Sequence, residues 1–451
     1  MFRRAFALLV IAAVLAGCVQ SALPASEGAQ NLPAAQQQEP AAPGLTTSKQ
    51  QIAASSIVTE EATTEETAAT QQEVPTAVPA SPTSAPTEPT AVETTEPVAQ
   101  VEAPNAPSQA VSPLTGLPVQ NADALSYAPA LVSITNFPVR ARPQAGLSFS
   151  PFVFELYIGE GMTRFLALFH GDYPERGEDA NVTLDDDKIG PVRSGRLPFE
   201  DLRSLYNGFL IMASASANVR SNLSAYTNVW GSDTGDINSA MIPVTKLEEI
   251  AAATPDRVDE GGLSGLEFSG TAPENGKNAQ KVWIPFSFLN QVIWQYDNAS
   301  GAYHRYQDNA DGKTFIQATD RLNGEPLTYE NVVVLFANHQ APAETLINID
   351  LLYIDRMPAL LFRDGKMYEI FWTTANGDYE KQTGKLRPIR FIDANGDPFP
   401  LKPGQTWVEI VQPYTRYNET VDSELYFDLK RRVEPGSGVW AVHFYPTVPE
   451  K

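Results

Sequence analysis

One cysteine and four histidines are all that the 451-residue chain offers of the side chains most used for disulfides, metal sites and nucleophilic catalysis. The lone cysteine, Cys18, excludes an internal disulfide. His170, His304, His339 and His443 are widely separated and lack metal-ligand spacing, so a zinc centre or histidine triad would need distant convergence. No G-x-S-x-G elbow, P-loop or H-E-x-x-H motif occurs, and no motif indicates a cofactor. No apolar run reaches the ~20 residues that a membrane-crossing helix needs. Positive charge is scarce too, with 32 Lys and Arg against 54 Asp and Glu and a formal net charge of −22. Bulk electrostatics therefore disfavour nucleic acid and broad contact with an anionic membrane, although local arginine clusters can still hold a small anion.

What is present begins with an export signal at residues 1–17. Arg3 and Arg4 precede the apolar stretch from Ala5 to Leu15, which has the length of a signal core rather than of a spanning helix. It ends in Leu15-Ala16-Gly17-Cys18, which resembles the lipobox of bacterial lipoproteins. The resemblance implies cleavage before Cys18, lipidation of its sulfur and an extracytoplasmic chain anchored to the cell membrane. Each buried CH₂ of the acyl chains would add about 0.8 kcal/mol to that anchor. A plain secretory signal with an incidental cysteine is the alternative.

Residues 18–111 then change composition entirely. Ala, Thr, Pro, Gln, Ser and Glu dominate, aromatics are absent, and Lys49 is the only basic residue. Such a segment cannot bury enough apolar surface to offset its ordering entropy, so it reads as a disordered tether, extended by its prolines and glutamates.

From Ser112 onward apolar patterning returns, with enough chain for two domains. An α+β fold is expected: a mixed α/β domain over 112–309, then a smaller β-rich domain with a terminal extension over 310–451. Strands are expected at Ala130 to Thr135, at Phe152 to Ile158 and Thr163 to Phe169 around a Gly-Glu-Gly turn, and at Gly208 to Ala213. Leu197 to Tyr206 and Val244 to Ala253 have helical spacing, the latter with Thr245 as N-cap and Glu248 three residues later. In the second domain, Asn331 to Ala337, Leu346 to Tyr353, Ala359 to Phe362, Lys366 to Trp372, Arg387 to Ile392 and Thr406 to Val411 read as strands, with Val439 to Tyr445 packing back. Trp372 and Trp407 read as core, with a sugar-stacking face as the alternative.

The segments Ala141-Arg-Pro-Gln-Ala-Gly-Leu147, Glu160-Gly-Met-Thr-Arg-Phe165 and Ile189-Gly-Pro-Val-Arg-Ser-Gly-Arg196, followed by Asn331-Val-Val-Val334 and Pro403-Gly-Gln-Thr-Trp407, closely resemble motifs of YerB-like lipoproteins. The resemblance spans roughly residues 113–411. It implies a mostly lipid-anchored family of unknown function, with distinct N- and C-terminal domains, and supplies no reaction. The chain departs from the family pattern at Thr135 and Pro151, where acidic residues are usual, and at Met212 to Ala215, where a histidine and glycines are common.

The Gly190 to Arg196 segment carries the sharpest chemical expectation. Arg193 and Arg196 offer planar forks for carboxylate or phosphate oxygens, and Ser194 adds a donor at the start of a helix. Arg142 and Arg164 come from the other motif segments, with Glu155 and Glu160 as natural partners. Convergence would make a pocket for an anionic envelope ligand, or, with Glu155 or Glu160 as acid/base, an enzyme acting on a phosphate- or sugar-containing substrate. A binding or scaffold protein could instead dock a partner on its surface, or the arginines could simply pair with Glu155, Glu160, Glu200 or Asp201 and hold loops together, in a purely structural adaptor. The acidic runs near Asp308 and Asp393 miss the first and last ligands of a calcium loop and read as turns, and Asp185-Asp-Asp187 as a solvated loop.

Overall fold

The computed structural model describes residues 109–174, 187–224, 226–231, 235–343, 345–422 and 432–446. The export signal, Cys18, the tether as far as residue 108, and Asp185 and Asp186 lie outside the described residues. Among the described residues no helix is long and apolar enough to cross a membrane.

The fold grows from the hairpin Phe152–Gly159 and Met162–Phe169. Gly159, Glu160 and Gly161 turn with φ of 97°, 52° and 75°, a left-handed run that glycine enters without steric penalty. Both strands are almost wholly buried, because neighbours pair on both sides and both faces are covered. Their sequences are accordingly near-continuous apolar runs. Ala130–Thr135 pairs antiparallel with Met162–Phe169, then come Phe209–Met212 and Tyr226–Asn228, both parallel. On the other side, Thr406–Val411 lies parallel to both Phe152–Gly159 and Asn331–Phe336. Met357–Arg363, Lys366–Thr373 and Arg390–Ile392 complete the order, with Lys277–Asn278 on Lys366–Thr373. Eleven described strands, from both sides of residue 309, thus share one sheet.

A second sheet runs Phe315–Gln317, Ala302–Asp308, Asn290–Asp297, Lys281–Ser287, Val439–His443 and Arg416–Glu419, with Thr328–Tyr329 on Ala302–Asp308. Residues of both sheets belong to one hydrophobic core. Trp407 of the first sheet meets Trp294 of the second with ring centroids 5.3 Å apart. Trp372 and Trp407 are both fully buried, so neither forms a stacking face.

The described residues are β-rich with few helices, so the expected helical share was too large. Pro198–Leu205 and Val244–Ala253 do form, burying Phe199, Leu202 and Leu205, and Leu247 and Ala251. Thr245 lies inside its helix; Pro243 is the cap residue and makes no side-chain capping bond. Leu346–Ile349 is shorter than expected, and Tyr353 beyond it is exposed at φ 57°. The three strands from 281 to 308 had no counterpart in the expectation.

Gly208 joins Pro198–Leu205 to Phe209–Met212 where there is no room for a side chain. A Cβ there would sit 2.4 Å from Leu131 Cδ1 and 2.5 Å from the Pro129 carbonyl oxygen. Because backbone cannot yield as a side-chain tip can, Gly208→Ala is expected to destabilise by about 1–3 kcal/mol. The urea midpoint reads this, and an unchanged midpoint would refute the close approach.

Candidate functional site

Strand alternation decides which of the expected site residues can meet. Glu155 pairs with Phe165 across the hairpin and Leu156 with Arg164. Successive side chains point to opposite faces, so Glu155, Thr163 and Phe165 share one face while Arg164 lies on the other. The hairpin therefore separates Glu155 from the arginine motif.

On the Arg164 face, the 189–196 segment threads between two strand ends. Ala145 and Gly190 exchange backbone hydrogen bonds of 2.8 and 3.1 Å, Arg193 N donates to Ser133 O at 2.8 Å, and Gly195 N donates to Ser214 O at 2.9 Å. Gly195 is required by packing, since a Cβ would lie 2.4 Å from Met212 Sδ. Here Arg164, Ser194 and Arg196 do come together. Arg164 Nη1 donates to the Ser194 carbonyl at 3.0 Å, and Arg196 Nη1 to the Ser194 and Gly195 carbonyls at 3.3 and 2.9 Å. Arg193 donates to the Val192 and Ile237 carbonyls at 2.8 and 2.7 Å. These bonds pin loop backbone. Burial lowers the Arg196 pKa, and its Nε is buried without a hydrogen-bond partner.

The opposite face holds a sealed polar cluster. Glu155 is fully buried and accepts from Thr163 Oγ1 at 2.6 Å and from Arg305 Nη2 at 2.8 Å. Glu409, its parallel cross-strand neighbour, is fully buried and accepts from Trp294 Nε1 at 2.8 Å. Arg305 is 1% exposed, and its guanidinium lies 4.7 Å from the Trp407 ring centroid and 5.2 Å from that of Phe165. Asn136, Asn290 and Gln307 extend the network: Asn136 Nδ2 donates to Thr163 Oγ1 at 2.8 Å, Gln307 Nε2 to Asn136 Oδ1 at 2.8 Å, and Arg305 also bonds Gln307. Arg142 closes its edge, donating to the Asn136 and Asp308 carbonyls at 3.1 and 2.7 Å. Burial, and then the Arg305 charge, bring the Arg142 pKa down to about 10. Glu160 stands apart, exposed at the hairpin turn. Glu200 pairs with Arg203 at 2.7 Å rather than with a motif arginine.

Sequence reasoning missed Arg305, Glu409 and Trp294. The available signal was weak: Asn298 to Gly301, between aromatic-containing runs, is turn chemistry. The histidines do not cluster, and burial lowers His170 and His339 to about 4. Asp308 and Asp311 spend their oxygens on backbone N–H groups of the 311–314 turn, as Asp393 does on Asn395 and Asp397.

A solvent-open recess of about 730 Å³ lies elsewhere, at one edge of the second sheet. Tyr157, Phe286, Phe288, Phe444 and Tyr445 line it with Arg416, and none of its lining residues among those described is acidic.

Two domain descriptions match the chain: protein of unknown function (DUF3048), N-terminal domain, over residues 114–246, and the C-terminal domain of the same family over residues 282–408. "Putative lipoprotein YerB" of Bacillus subtilis (strain 168) is 25% identical over 325 residues, covering 68% of this chain and 88% of its own. A crystal structure of the YerB protein from Bacillus subtilis aligns with a TM-score of 0.51 at 24% identity, covering 67% of this chain and 97% of that one. That likeness shows a shared fold. The resemblance to YerB-like lipoproteins read from the motif segments is borne out.

Burial first, and then the adjoining Glu155 carboxylate, push the Glu409 pKa well above the usual carboxylate range. A raised folded pKa gives stability that is complete below the unfolded value, about 4.3, and is lost as pH rises through the folded one. Relative to Glu409→Gln, which cannot ionise, the parent is expected to lose stability steadily as pH rises above that value. Urea unfolding of both proteins across the pH range checks this; a pH-independent difference would contradict it.

Proposed function

The chain belongs to the DUF3048 family of proteins of unknown function, and from that premise we propose that it is a membrane-anchored extracytoplasmic lipoprotein that binds a ligand or partner rather than transforming one. The observation that carries the binding reading is where the acids lie. Glu155 and Glu409 are fully buried, held by Arg305, Thr163 and Trp294. A general acid or base must reach a substrate proton within about 3 Å or through one water, and these carboxyls are closed off from solvent. The roomy recess, by contrast, is lined mainly by rings, with Arg416 and the amides of Gln291 and Asn418, and has the size usual for a small-molecule site. The anchor rests on the lipobox-like Leu15 to Cys18 and is in keeping with the name of the Bacillus relative.

A second reading, an anion site at Arg164, Arg193, Ser194 and Arg196, without Arg142, is favoured by one unspent donor. Arg196 Nε is buried without a hydrogen-bond partner. A phosphate-bearing envelope fragment drawing this side chain outward would satisfy it.

Two experiments test these readings. Cys18→Ser is expected to move the protein from the membrane fraction to the soluble one; retention in the membrane fraction would remove the lipid anchor from the account. For the anion site, pyrophosphate at about 100 times its Kd should stabilise the parent by about 2.7 kcal/mol and leave Arg193→Ala/Arg196→Ala unshifted. An unshifted parent, with a variant less stable by itself, would make the arginines loop clamps.

A further inference from the structure

The recess at the edge of the second sheet has a chemistry distinct from both clusters. One wall is the hairpin turn: Ser287 Oγ and Asn290 Nδ2 donate to the Gly161 carbonyl at 2.9 and 3.3 Å, fixing Gly161 against the 287–290 turn. The floor is aromatic, with Tyr157 and Phe286 each about 5.1 Å from Phe444 between ring centroids. At the rim, Phe288 and Tyr445 are 53% and 48% exposed. The amides that reach the recess are already engaged. Gln291 accepts from Trp283 Nε1 at 2.9 Å and donates to the Phe288 carbonyl at 3.0 Å. Asn418 is held by His443 at 2.9 Å and by the Glu419 carbonyl at 2.8 Å. A sugar filling this space would meet mostly rings and amides already engaged, leaving its hydroxyls few protein partners. Arg416 differs. It is exposed, pairs in register with His443 through the backbone, and its side chain makes no hydrogen bond or ion pair with the described residues.

We propose that this recess binds a single-chain amphiphile, its apolar chain packed on the aromatic floor and its one anionic head group, carboxylate or phosphate, against Arg416. Charge complementarity supports the choice of head. In a chain of net charge −22 no acidic residue lines the recess among the described residues, and Arg416 does, so a single anionic head is accommodated while a polyanion is repelled by the rest of the surface. The chain end needs no polar partner, which matches walls whose amides are spent. The inference names the ligand class for the binding reading above, but it does not depend on the anchor or on the arginine motif.

The test is calorimetric titration of the full chain carrying Cys18→Ser, so that no acyl group of its own competes, with dodecanoate as the probe. Decanoate, shorter by two CH₂ groups, is expected to bind about tenfold more weakly. Arg416→Ala should weaken dodecanoate about tenfold and abolish its advantage over dodecanol, while Phe288→Ala weakens both. Tyr414→Ala, exposed but off the recess, should bind like the parent. Dodecyl phosphate and inorganic phosphate separate the head's sources: retention of the amphiphile alone supports the proposal, and equal binding of free phosphate overturns it. No binding of dodecanoate, binding indifferent to chain length and to both recess variants, or a recess that takes oligosaccharide or peptide while dodecanoate fails to compete would each overturn it. Failure of the Cys18→Ser fractionation would leave these titrations unaffected.

Discussion

Where the two sheets meet, the core contains two carboxyl groups and one guanidinium, and the rest of the molecule is arranged to tolerate them. Isolated charges in such surroundings are very costly, and they persist only when paired and hydrogen-bonded. Arg305 Nη2 donates to one Glu155 oxygen at 2.8 Å, and Thr163 satisfies the other. Glu409, next along the face, accepts from Trp294 Nε1, and burial together with the Glu155 carboxylate raises its pKa well above the usual carboxylate range. Rings of Trp407, Phe165 and Trp294 surround the guanidinium, where their faces offer further attraction to a cation. The cluster draws on strands far apart in the chain, so it can form only when the hairpin, Thr406–Val411 and Ala302–Asp308 are already in register.

That arrangement also orders the chemistry of the molecule. Glu155 and Glu409 lie inside, arginines of the 189–196 segment hold loop carbonyls, and the open recess presents rings and Arg416. The three motif segments from which the family resemblance was read turn out to be mutual supports. The 141–147 and 189–196 segments bond through Ala145 and Gly190, and Arg164 reaches Ser194 from the hairpin. Asp320, fully buried, adds a clamp by accepting from Gly146 N at 2.8 Å and Ser148 N at 2.7 Å.

Legibility in the sequence followed local physics. Ala130–Thr135, Phe152–Gly159, Asn331–Phe336 and Thr406–Val411 read correctly because strands covered on both faces are continuous apolar runs. Val244–Ala253 was read to its ends from helical spacing, although its cap was not. The second sheet was missed for the same reason inverted. Asn290–Asp297 and Ala302–Asp308 bury Asn290, Arg305 and Gln307, so their sequences mix polar and apolar residues without the continuous apolar run of the first sheet's strands. The pairing of Glu155 with Glu409 depends on tertiary register, which no local pattern encodes. That Glu155 and Arg164 lie on opposite sides depends on the register shift between Tyr157 and Gly159, since the unshifted count from the turn would put them on one face.

The cluster's role in uniting the sheets is tested most directly by a double-mutant cycle in denaturant, with Arg305→Met, Glu155→Leu and the two combined. Removing one partner strands the other's charge, so each single change should cost about 3–5 kcal/mol. The combined variant, with neither charge left to strand, should lose far less than the sum. Simple additivity of the two losses would show that the residues do not act as a pair and would contradict the account.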